Sequence, residues 1–205
     1  EIHEYLSKLD FEAAGKLTLL DLLERRAQET PDAVAVRSPA GSIGFREWLD
    51  SARVISADVK KSGSYRPRTP ILVWVDTADA RKVVSAQHGV LGSGCIVAPL
   101  DDRLSMAEVK RFASDVAATV AIVSRGLLLS RQDEGAPELA LEDLPAGGDP
   151  QDLLVLSFDG EAFGFVASLQ EGEDRYEEPG NSDSVRPSPD DCALLAFTSG
   201  TTGRP

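Results

Sequence analysis

Cysteine, histidine, basic residues and long apolar runs are all scarce in this chain, and each shortage removes a class of protein. Two Cys and two His among 205 residues offer no metal-ligand spacing. Cys95 and Cys192 stand far apart in apolar, strand-like runs. The expectation is two buried free thiols in a reducing compartment rather than a disulfide. Lys and Arg number 21 against 34 Asp and Glu, a formal net charge of -13. That balance repels a phosphate backbone, so nucleic acid is not expected as a partner. It suits a soluble, cytoplasmic protein. The most apolar stretch, 83–100, is interrupted by Gln87, His88 and several glycines, so no membrane span is expected. The opening Glu1-Ile2-His3-Glu4 has no basic n-region and is not read as a secretory signal, while the lack of a starting Met leaves a removed leader open.

What is present reads as a globular α/β protein. The chain is 42% hydrophobic and 27% charged, ordinary for a folded domain, and long enough for one large domain or one and a half small ones. Leu19, Leu22 and Leu23 share a helical face, and Thr18 with Asp21 has capping-box spacing, so a helix is predicted over 18–28. Residues 33–37 alternate as a short strand, and Pro39-Ala40-Gly41-Ser42 makes a turn. Phe45, Trp48, Leu49, Ala52, Ile55 and Val59 mark a helix over 46–61. Strands then follow at 70–75, 94–100 and 119–123. A helix over 77–91, capped by Thr77, joins the first two. A second, opened by a Ser105/Glu108 capping box, joins the next two. These strands are apolar at consecutive positions, as strands buried on both faces are, and the helices between them imply right-handed parallel crossovers. The predicted class is α/β, a doubly wound, mostly parallel sheet with flanking helices. Residues 125–152 read as irregular, 153–158 and 163–169 as a hairpin around Asp159-Gly160, 171–189 as an exposed acidic loop, and 192–197 as a buried strand. There are no internal repeats.

The chemistry-bearing segment is Thr198-Ser199-Gly200-Thr201-Thr202-Gly203-Arg204-Pro205. Two glycines let the backbone come close to a ligand, successive N–H groups can form an anion nest, and four hydroxyls add donors. Such a loop suits polyphosphate oxygens, with Arg204 adding a positive charge. It is not a Walker A loop, and no G-x-G-x-x-G stands in the chain; Gly89 to Gly94 lacks that spacing. By composition alone the same tail reads equally well as a flexible terminus.

The full string from Leu194 through Pro205 resembles the phosphate-loop signature of the AMP-binding, adenylate-forming superfamily, which includes acyl- and aryl-CoA ligases, nonribosomal peptide synthetase adenylation domains and luciferases. Two weaker matches precede it in the family's order. Gly89-Val90-Leu91-Gly92-Ser93-Gly94-Cys95-Ile96-Val97-Ala98-Pro99-Leu100-Asp101 resembles the helix-to-strand element, with Ala98 a small departure before the Pro. Pro31 to Val36 followed by Ile43 to Leu49 resembles the opening strand, turn and helix.

The resemblance implies a large adenylation subdomain seen in its N-terminal portion. Its parts would be an N-terminal segment 1–17, an α/β unit 18–124, a variable and acidic connection 125–189, and a strand plus phosphate loop 190–205. It implies ATP and Mg²⁺, a small-molecule carboxylic acid activated as acyl-adenylate, and CoA or a carrier protein's phosphopantetheine as thiol acceptor. Thr198, Ser199, Gly200, Thr201, Thr202 and Gly203 would hold the leaving phosphates. The family's adenine pocket, ribose-binding Asp, hinge and catalytic Lys lie downstream, so no catalytic residue and no metal ligand is assigned here, and these residues alone are expected to be inactive. Two other readings stand beside the CoA-ligase one: a peptide-synthetase adenylation domain, and a non-catalytic nucleotide-binding or interaction module of the same fold. His88 reads as a packed helix residue, Asp101 and Asp102 as a turn with Arg103, Cys95 as a core thiol, and Trp48 and Trp74 as core positions.

Overall fold

The structure, a computed structural model, describes residues 16–61, 65–130, 153–157, 164–166 and 186–197. Helix α1 (Leu19–Glu29) starts as its sequence predicts. Thr18 Oγ1 accepts from Asp21 N at 3.1 Å, and the Asp21 carboxylate accepts from Thr18 N at 2.8 Å, so two otherwise orphaned donors are satisfied. Its inner face, however, is Leu20, Leu23 and Ala27, while Leu19 is 52% exposed. An antiparallel ribbon of β1 (Val34–Ser38) and β2 (Gly41–Gly44) follows. Gly41 has φ +139, and a Cβ there would stand 2.9 Å from the Arg81 guanidinium. Helix α2 (Phe45–Lys61) buries Leu49, Ala52, Ser56 and Val59.

The centre of the molecule is one sheet. Strand β3 (Pro70–Trp74) lies between β4 (Ile96–Pro99) and β5 (Val120–Val123), parallel to both. Beyond β5 come β6 (Leu153–Ser157), parallel, and β7 (Gly164–Val166), antiparallel to β6, giving the order β4-β3-β5-β6-β7. The hairpin expected around Asp159-Gly160 is therefore present in its strands. Along β3 and just past it, alternate residues serve opposite cores. Ile71, Val73 and Val75 join Val59, Ala86 and Val90 on one face, and Leu72 and Trp74 join Val109 and Ala113 on the other. Helix α3 (Ala80–Gly92) thus covers the first face. Helices α4 (Met106–Asp115) and α5 (Arg125–Ser130) cover the second. This is the doubly wound α/β arrangement. Each fully buried large apolar side chain contributes about 1.5–3 kcal/mol, against about 0–1 kcal/mol for an exposed ion pair, so the two cores rather than surface charges hold the fold.

Four further expectations are corrected. Helix α3 begins at Ala80 and is capped by Asp79, not Thr77. The Asp76 carboxylate accepts from Ala78 N at 2.9 Å, a local turn that delays the helix, and Thr77 is drawn to Asp102 instead. Residues 125–130, read as irregular, are the short helix α5. Residues 192–197 are not a buried strand. They touch the sheet through one parallel bridge, Val97 to Leu194, and alternate exposed and half-buried because they lie along the outer edge of β4. Cys192 is consequently exposed, while Cys95 is buried as expected. Among the described residues, no helix is long and apolar enough to cross a membrane.

Candidate functional site

In a parallel sheet of this kind, ligands bind outside the carboxyl ends of the strands, where successive crossovers leave for opposite faces. The connection after β3 leads to α3 on one face, and the connection after the adjacent β5 leads to α5 on the other. The crevice therefore opens above β3 and β5. Polar loop groups knit its rim. Ser124 Oγ accepts from Asp76 N at 3.2 Å across the β3–β5 gap. The Asp102 carboxylate accepts from Thr77 N at 2.9 Å and from its hydroxyl at 2.5 Å, tying the loops after β3 and β4 together. Buried Trp74 donates Nε1–H to Asp101 O at 3.1 Å, and the Asp101 carboxylate accepts from Arg103 N and Nε, both at 2.9 Å. Asp101 and Asp102 thus form the turn with Arg103 that the sequence suggested. Asp79 caps α3 and accepts two bonds from the Arg81 side chain, at 2.8 and 2.9 Å. That guanidinium holds the Asp79 carboxyl below its ordinary range, against a smaller opposing effect of burial. Among the described residues, no group of three or more His, Cys, Asp or Glu could hold a metal ion.

The segment 186–197, here called the arm, runs into this region. Val97 N donates to Ala193 O at 3.0 Å and Val97 O accepts from Leu195 N at 2.8 Å, so the arm runs parallel to β4. Phe197 consequently arrives at the carboxyl end of the sheet, where its ring meets Phe112 of α4 with centroids 4.5 Å apart. The candidate phosphate-binding residues Thr198, Ser199, Gly200, Thr201, Thr202 and Gly203 follow directly and lie outside the described residues.

Two contacts that sequence reasoning missed fasten the arm's start. Arg186 reaches Asp21 Oδ1 at 2.5 Å and Glu24 Oε2 at 2.9 Å on α1, and Arg68 lies 3.4 Å from Asp191. Thr18, with help from Arg186, keeps the Asp21 carboxyl below its usual range. No spacing rule signals a pair separated by 165 positions. His88 takes no part in the rim. Its ring stands edge-on to Trp48, as a packed helix residue does.

A mostly parallel sheet with helices on both faces and a segment delivered to its carboxyl ends makes this a doubly wound α/β protein. A family model described as AMP-binding enzyme matches residues 23–205, and the chain belongs to that family. It is 29% identical over 189 residues to phosphinothricin tripeptide synthetase PhsC of Streptomyces viridochromogenes, covering 92% of this chain and 15% of that protein. It is 28% identical over 190 residues to a 3-[(3aS,4S,7aS)-7a-methyl-1,5-dioxo-octahydro-1H-inden-4-yl]propanoyl:CoA ligase of Rhodococcus jostii, covering 89% and 35%. The chain thus spans about a third or less of the length of these relatives. In structure it is similar to the nonribosomal peptide synthetase FmoA3 in its AMPPNP-bound form, with a TM-score of 0.62, 22% identity and coverage of 90% of this chain and 16% of that one. That likeness is one of fold.

Proposed function

We propose that this chain is the N-terminal, phosphate-binding portion of an ATP-dependent ligase that activates a carboxylic acid as its acyl-adenylate. The observation that carries the reading is the arm. It lies within the family match, runs parallel to β4 and delivers its end to the carboxyl side of the strands, immediately before Thr198-Ser199-Gly200-Thr201-Thr202-Gly203. Backbone N–H groups and hydroxyls there would hold the β- and γ-phosphates of ATP. The substrate carboxylate attacks the α-phosphorus, the bond to the bridging oxygen breaks, and pyrophosphate leaves with its charge spread over those donors. Mg²⁺ enters this reading with the nucleotide phosphates. The division that goes with this reading is a leading segment 1–17, the α/β unit 18–124, a connection 125–189 and a closing segment with the phosphate loop, 190–205. The reaction belongs in the cytoplasm.

The acceptor thiol is CoA or a carrier protein's phosphopantetheine. Peptide synthetases recur among the relatives, including surfactin synthase subunit 2 of Bacillus subtilis at 24% identity over 189 residues. This favours the carrier-protein form over an acyl-CoA synthetase. The test is ATP–pyrophosphate exchange across amino, aryl and fatty acids, using protein that carries the coding sequence past Pro205. We expect exchange with one acid class, lowered roughly 10–100-fold by the double change T201A/T202A, and none from residues 1–205 alone. Exchange that is absent for every acid, or indifferent to the double change, would sink the reading. Adding CoA or a carrier protein to the active acid then decides the acceptor.

A further inference from the structure

A ring contact holds the end of the arm, and we propose that Phe112 is a positioning residue for the phosphate loop, acting through Phe197. The proposal rests on the adenylation reading of residues 198–203. Val109, Phe112 and Ala113 share one face of α4 and join the core against which Leu195 and Phe197 of the arm also pack. The rings of Phe112 and Phe197 have centroids 4.5 Å apart and planes inclined at 57°, within the range that aromatic pairs favour. The Arg111 guanidinium carbon lies 5.2 Å from the Phe112 centroid, a second contact that restrains the same ring. The backbone gives the arm's end no matching hold. Among the described residues, the last backbone hydrogen bond from the arm to the sheet is Leu195 N to Val97 O at 2.8 Å. Ala196 beyond it is exposed.

A backbone tied to the sheet at Leu195 leaves Ala196 and Phe197 to swing unless a side chain stops them. The Phe197 ring, seated on Phe112, is that stop. Consecutive Cα atoms stand about 3.8 Å apart, so fixing Phe197 fixes the point from which Thr198 departs to within a peptide unit. Donors that are to meet phosphate oxygens must start in place. A loop whose root wanders has to be ordered by the ligand, and that ordering is subtracted from the affinity. Removing the Phe112 ring should therefore weaken the hold on ATP and leave recognition of the carboxylic acid as it was. A ring that served only to fill the core would change stability without dividing the two substrates.

The experiment is ATP–pyrophosphate exchange at varied ATP and at varied acid, using protein that carries the coding sequence past Pro205 and the acid class that proves active. F112L keeps an apolar side chain and removes the ring. Its KM for ATP should rise about 3–10-fold with the KM for the acid unchanged, and F112Y should restore both values. F197L should give the same rise. The double variant F112L/F197L should do no more than F197L alone, because both changes remove one contact. An unchanged KM for ATP in F112L, an equal rise in both KM values, or additive effects of the two changes would overturn the proposal and leave the adenylation reading standing. No exchange from the unaltered protein would remove both.

Discussion

His88 stands on α3 with its ring centroid 4.6 Å from that of Trp48 and a ring nitrogen 3.2 Å from Val84 O. Burial lowers its pKa below the ordinary 6.5, against a smaller raising effect of the Val84 contact. The unfolded chain takes up a proton near 6.5 and the folded chain only at lower pH. The associated stability is therefore complete above 6.5 and is lost as pH falls through the interval below it. We expect the urea unfolding free energy to drop over that interval, and H88Q to flatten the drop. An equal drop in H88Q would assign it to carboxylates instead. One residue further on, Gly89 is where α3 meets α2. A Cβ there would stand 2.6 Å from Ile55 Cβ and 3.2 Å from Ala52 O, so G89A should cost about 1–3 kcal/mol by overpacking. The double change G89A/I55A should clear the Ile55 contact, and a double-mutant cycle of urea midpoints should give a coupling of opposite sign to the cost of G89A. Neither response is legible in the sequence, where His88 and Gly89 are simply two residues of a helical run. Trp48, Ala52 and Ile55, which they meet, lie on another helix.

The ends of elements were legible to different depths. Both capping boxes, Thr18 with Asp21 and Ser105 with Glu108, form as spaced, because the partners are three residues apart and tertiary packing has little to add. The start of α3 was misread because Asp102, on another loop, captures Thr77. At the end of α4 the chain reverses through Ala117, whose φ is 53. Ala118 N donates to Ala113 O at 2.8 Å and Ala117 N to Ser114 O at 3.2 Å. That double bond is the Schellman pattern, which usually has glycine at the left-handed position. A117G should therefore stabilise the protein by about 1 kcal/mol, since a left-handed L-residue carries a penalty of that order. A rise in urea midpoint with unchanged slope checks it, and a fall would mean the Ala117 methyl packs favourably.

At the scale of the molecule, the arm is weakly joined to the sheet among the described residues. The bonds fastening it to β4 are Val97 N to Ala193 O and Leu195 N to Val97 O. The ion pairs of Arg186 and Arg68 are largely exposed and add little. Amide hydrogen exchange should thus show Leu195 N exchanging through local opening, well before Leu72 and Val73 at the sheet's centre. Equal protection would make the arm part of the global folding unit. Most of the element order was determined by the sequence itself. Apolar residues at consecutive positions in 70–75 and 119–123 can be satisfied only by burial on both faces, and the helical stripes between them supply the cover. The glycine- and hydroxyl-rich segment 198–203 was read from contiguous residues, and it lies outside the described residues. Tertiary structure alone decided the rest: that β3 sits between β4 and β5, that the crevice opens above β3 and β5, that the arm lies along the outer edge of β4, and that Cys192 is exposed while Cys95 is buried. Each of these depends on contacts between residues remote in the chain, which no local pattern encodes.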